Sequence, residues 1–137
     1  MRLPTTLLLL LALTLLCPGC TKSEAEQQFS DMTAKQKEVV SILKTVNDTE
    51  SAKAANEKIK AVATDVQHIL QRSKNIKTTD AQRKQLAEKY KPQLQQAGKD
   101  AQVELQRISK IPGASPELME GLLQLSTAGV RSQLSDK

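Results

Sequence analysis

The chain has 137 residues, a formal net charge of +5 and an aromatic content of 1%, with one Tyr, one Phe and no Trp. So few aromatics leave little to stack on bases or sugar rings, and the basic residues are spread along the chain, which argues against nucleic acid as a partner. Beyond residue 19 Lys, Gln and Ala are the commonest residues, the β-branched and aromatic runs that strands need are missing, and an all-α fold is predicted.

Arg2 and the amino terminus precede an apolar run, Leu7 to Leu16, interrupted by Thr14. A run of about ten residues is half of what a bilayer-spanning helix needs. It suits the apolar core of a secretory signal, read here as a signal helix ahead of the folded domain. The run ends at Cys17-Pro18-Gly19-Cys20. Two cysteines so spaced do redox chemistry when they open a helix after a strand, or bind metal when further Cys or His residues stand nearby. No βαβ pattern follows, there is no third Cys, and the one His, His68, is far along the chain.

An apolar run ending in a small residue and then Cys resembles the lipobox of bacterial lipoprotein signals. The resemblance covers residues 1–20, with Cys17 where that pattern usually has Leu and with Pro18 as an unusual neighbour. It implies that residues 1–19 are a signal peptide cut between Gly19 and Cys20 and that Cys20 carries the lipid. Residues 20–22 are then a lipidated tether and 23–135 a helical bundle domain. It also implies the bacterial envelope as location. Thr21, rather than Asp, after the Cys favours the outer membrane. With Cys17 removed and Cys20 acylated, the mature domain would carry no free thiol and no disulfide. The alternative is an ordinary secretory signal that releases a soluble binding module.

Four amphipathic helices are predicted beyond the tether. The first opens at Ser23, whose spacing to Glu26 is that of a capping box. Its stripe is Ala25, Phe29, Met32, Gln36, Val39, Leu43 and Val46, widened by Val40 and Ile42. Asn47 to Ser51 supply a stop and new caps. The second helix carries Ala52, Ala55, Ile59, Val62, Val66 and Ile69, its early alanines allowing another helix close. The third runs from about Asp80 to Ser109 behind a Thr79–Gln82 capping box. Its face is Leu86, Tyr90, Leu94, Ala97, Ala101, Leu105 and Ile108. Pro92 inside it predicts a kink, or two helices meeting near Lys91. Pro112 and Gly113 end it. Ser115 as cap and Pro116 at the first helical position start a fourth helix, with Leu118, Met119, Leu122, Leu125 and Val130 as its face. Asp31 with Lys35 and Asp80 with Lys84 have the spacing of helix-surface ion pairs. Short links predict an up-down bundle of antiparallel neighbours rather than an elongated coiled coil.

No catalytic constellation, cofactor motif or metal-ligand cluster emerges. His68 lies beside the second stripe and reads as surface. Tyr90 lies on an apolar face and reads as core. Asp100 and Glu104, one turn apart, have a spacing usable for acid/base work, but Lys99, Gln102 and Gln106 around them point to a solvated face. A small enzyme is thus the disfavoured reading. The preferred one is a lipid-anchored domain meeting protein partners through its helix faces. Lys137 at the carboxyl end is similar to the terminal Lys by which the murein lipoprotein is joined to peptidoglycan, a link this resemblance would extend here.

Overall fold

The computed structural model describes residues 22–134, with backbone alone beyond Ala128. The expected signal helix, Gly19, Cys20 and Lys137 lie outside these residues. Four helices make up the rest: α1 (Glu24–Lys44), α2 (Thr49–Ser73), α3 (Asp80–Ile108) and α4 (Ala114–Leu134). They fold back on one another as an all-α helical bundle.

The caps follow from local chemistry. Ser23 Oγ accepts from the Glu26 N–H, but the Glu26 carboxylate reaches Lys89 on α3 instead of completing the box. A charge-assisted bond to an ammonium outcompetes one to a neutral N–H. Asp48 and Ser51 close a full box at α2, and Thr79 and Gln82 do so at α3. Helix α3 runs unbroken through Pro92, so the two-helix alternative does not hold. Glu88, whose carbonyl loses its donor at Pro92, is exposed to water. Helix α4 starts at Ala114, not after Ser115. Gly113, at φ 76°, makes the left-handed turn that starts it early. Pro116 is tolerated because first-turn N–H groups have no partner within the helix.

Successive helices alternate in direction, yet the side-by-side neighbours differ from those expected. α1 and α2 are antiparallel, as Lys35–Asp65 and Asp31–Arg72 show. α3 lies on the other flank of α1 and parallel to it: Glu26 meets Lys89, Phe29 stacks on Tyr90, and Arg107 reaches Leu43 and Val46. α4 runs parallel to α2, with Lys53 beside Glu117 and Lys60 beside Glu120. Among the described residues α3 and α4 do not pack along each other's length, although the five residues 109–113 join them. That link crosses the α1–α2 turn, where Thr49 Oγ1 donates to the Pro112 carbonyl.

The core is therefore built mainly from α1, α2 and α4, with Ile108 added from the end of α3. Leu43, Val46, Ile59, Val62, Ile108 and Leu118 are its largest fully buried side chains, each stabilising the fold by about 1.5–3 kcal/mol. The predicted stripes of α1 and α2 are buried or half-buried except Gln36, and Thr33, Asn56 and Ala63 join them. On α4 the inward row is Ala114, Leu118, Gly121, Leu125 and Ala128, while Met119 points out, 63% exposed. The small residues in that row bring α4 against α2. The Gly121 N–H donates to Asn56 Oδ1 at 2.7 Å in a buried contact. A Cβ on Gly121 would stand 2.9 Å from the Asn56 backbone oxygen.

Gly121→Ala is therefore expected to destabilise the bundle by about 2 kcal/mol, because overpacking and the strained Asn56 bond outweigh the gain in helix propensity. Gly98→Ala, in open space on α3, is expected to stabilise it by roughly 0.5–1 kcal/mol. Urea denaturation of both variants checks the contrast; equal effects would refute the close-approach argument.

Candidate functional site

The residues singled out as possible acid/base groups are not brought together. His68 is exposed on α2. Asp100 and Glu104 stand on α3, which does not pack on α2. Asp100 accepts from Gln96 Nε2 at 2.8 Å. The Glu104 carboxylate, 15% exposed, accepts from Arg107 Nε at 2.7 Å. Arg107 then donates to the carbonyls of Val46 at 2.7 Å and Leu43 at 3.0 Å. The expected solvated carboxylate is thus half of a device that caps the carboxyl end of α1 from α3. Among the described residues no three His, Cys, Asp or Glu side chains are placed to hold a metal.

Tyr90 is buried as expected. Its ring stacks on Phe29 at 5.9 Å between centroids, so the chain's two aromatics join α1 to α3. The Lys89 ammonium lies 5.8 Å from the Tyr90 centroid while it bonds Glu26. That hydrogen bond, then the charge of Lys89, holds the Glu26 carboxyl below its ordinary value, and raises Lys89 in turn. The Ser51 side chain and backbone do the same to Asp48.

The expected i,i+4 surface pairs give way to i,i+3 pairs and to pairs between helices. Lys35 bridges Glu38 and Asp65 rather than Asp31, and Lys60 bridges Glu57 and Glu120. Each lysine can join two helices because the stem lies along the seam while the ammonium reaches both carboxylates. Among the described residues, Asp80 and Lys84 form no ion pair.

Two grooves lie at the end where the chain enters α1. A groove of about 490 Å³ between α1 and α2 is lined by Lys22, Gln28, Asp31, Ile69, Arg72 and Ile76 among others. A second, of about 420 Å³, lies between α1 and α3 and includes Ser23, Ile76, Lys77, Leu86 and Lys89. Ile76 lines both, because the α2–α3 connector (residues 74–79) must cross the end of α1 to pass from one flank to the other. A third groove, of about 460 Å³, lies beside Pro92 between Lys37, Lys44 and Asp100. None is lined by a nucleophile paired with a base. The connector and the Arg107 cap were invisible to periodicity; the basic run around Ile76 was the one available signal.

No helix among the described residues is long and apolar enough to cross a membrane. No protein-family model matches the chain, and no curated protein or solved structure matches it either.

Two measurements follow from this geometry. Arg107→Ala is expected to cost about 1.5–2 kcal/mol in urea denaturation, and Glu104→Gln less than half of that, since the carbonyl bonds survive in the latter. A larger loss from Glu104→Gln would contradict the capping role. Carboxylates depressed in the folded state stabilise it above the unfolded values, about 4.3 for Glu and 3.9 for Asp, and that contribution is lost as pH falls through the folded values. The melting temperature should therefore fall below about pH 4. In Lys89→Gln, an NMR titration of Glu26 should show its pKa rise towards the ordinary value of 4.5.

Proposed function

We propose that this chain is a lipid-anchored protein of the bacterial envelope whose helical domain acts by binding other proteins rather than by catalysis. The observation that carries the reading is the lipobox-like boundary Gly19-Cys20, which stands immediately before the folded domain. Thr21 and Lys22 separate Cys20 from the Ser23 cap of α1. Three peptide steps reach at most about 11 Å. An acyl group on Cys20 would therefore hold the bundle against the bilayer surface instead of on a long leash. A single acyl chain binds marginally, whereas two or more, or one with basic residues, anchor stably. Thr21 favours the outer membrane.

The state of the polar groups supports an interaction role. Glu104 is committed to Arg107, and Asp100 to Gln96, as structural partners. The faces left to meet a partner carry apolar side chains: Val103 on α3 and Met119 and Leu123 on α4, each more than 60% exposed.

Intact mass of the protein purified from bacterial membranes is expected to show an N-terminus at Cys20 bearing acyl mass. Cys20→Ala is expected to lose that mass and leave the membrane fraction. An unmodified N-terminus downstream of residue 20 would replace this reading with a secreted soluble module.

A further inference from the structure

The connector that crosses the end of α1 is the most basic stretch of the described chain. Between Arg72 and Lys84, the basic residues Arg72, Lys74, Lys77, Arg83 and Lys84 stand against Asp80 as the one acidic residue. Lys22, just before the Ser23 cap of α1, adds to them, its ammonium 2.8 Å from Ser30 Oγ. Nearby acidic groups are largely spoken for: Glu26 by Lys89, and Asp31 by Arg72 at 3.7 Å and Gln27. Glu24 remains. At the opposite end the charges balance, with Lys44, Lys53, Arg107 and Lys110 matched by Asp48, Glu50, Glu104 and Glu117. Among the described residues the positive excess is thus greatest at this pole, although the lysines are spread in sequence.

We propose that this pole, formed by Lys22 and the α2–α3 connector with the first turn of α3, binds the phosphate headgroups of anionic lipids. The inference rests on Cys20 as anchor, and it adds an orientation. The connector wraps the same end of α1 from which the tether leaves, so a lipid on Cys20 places these cations at headgroup level. Anionic headgroups are complementary to them. Attraction of this kind is worth about five-fold in partitioning per basic residue and falls off within a Debye length. The α1–α2 turn stands at the far pole, about 30 Å away along a helix of this length.

The test uses the purified full-length product with its N-terminal mass measured first. It is bound to vesicles of phosphatidylcholine alone, or with a third phosphatidylglycerol, and its lysines are acetylated briefly and quantified by mass spectrometry. Lys22 and Lys77 are expected to react several-fold more slowly on the anionic vesicles, and to recover in high salt. Lys44, Lys53 and Lys110 should react alike on both. Lys77→Gln/Arg83→Gln/Lys84→Gln, all exposed positions, should keep its helix content and lose the protection at Lys22. Equal labelling on the two vesicles, or protection at Lys44 and Lys110 instead, overturns the proposal. Should the mass show no lipid, the anchor reading fails by itself and flotation decides the pole. Binding to anionic vesicles that the triple variant weakens about a hundred-fold upholds it, while no binding, or equal binding to neutral vesicles, overturns it.

Discussion

The architecture depends on how closely α4 approaches α2. Gly121 has no side chain to hold the two backbones apart, and Asn56 fills the space with an amide that accepts the Gly121 N–H. Ala114 and Ala128, fully buried one heptad to either side, extend the same close seam. With α4 on one flank of α2 and α1 on the other, α3 is left the far flank of α1. The link between α3 and α4 must then pass over the α1–α2 turn, and the α2–α3 connector must pass under the start of α1. Arg107 and the Thr49–Pro112 bond hold the upper crossing.

That placement explains why α3 is the most polar helix. It packs against one neighbour, so a narrow row suffices, and Tyr90, Ala97 and Ile108 are the residues it buries fully. Its hold on α1 comes at three levels: Lys89 on Glu26 with the aromatic stack, Lys37 on Gln93, and Arg107 on the carbonyls. Exposed ion pairs are each worth about 0–1 kcal/mol. The aromatic stack and the Arg107 cap therefore carry most of the attachment. Segments with few buried contacts open at lower free energy than the core, and α3 is that segment here.

Much of this was legible beforehand, for a definite reason. The rows Ala52–Ile69 and Val39–Val46 alternate steps of three and four, and such spacing survives into any helical packing. Caps were legible where side chain and backbone are close in sequence, as at Thr79–Gln82. Neighbours were not, because a heptad row specifies a face and not the partner that covers it. Short links suggested sequential neighbours, yet α3 and α4 part after five residues. Gly121 and Asn56 belong to no apolar row or cap in the sequence, and their meaning lies in a contact between residues 65 apart. Glu26 looked committed to its own cap, and a lysine from α3 took it. The one-turn spacing of Asp100 and Glu104 was legible, but the structural use of Glu104 through Arg107 was not.

The two poles of the bundle have different chemistry, and this divides the labour of the surface. The pole at the tether is cationic and grooved, with Ile76 set between α1's two neighbours. The opposite pole is charge-balanced and locked by Arg107. The exposed apolar side chains Val103, Met119 and Leu123 all belong to the half of their helices nearest that locked pole. A bundle anchored at its cationic end would hold them away from lipid and in water. Scattered apolar residues on a soluble surface need no explanation, since much of any protein surface is apolar. Met119 and Leu123 are one turn apart on a single helix, however, which is the spacing a partner helix reads. Anchoring and recognition would then use opposite ends of the same rigid seam. The Gly121–Asn56 contact would serve both by keeping α4 fixed to the hairpin that leads to the tether.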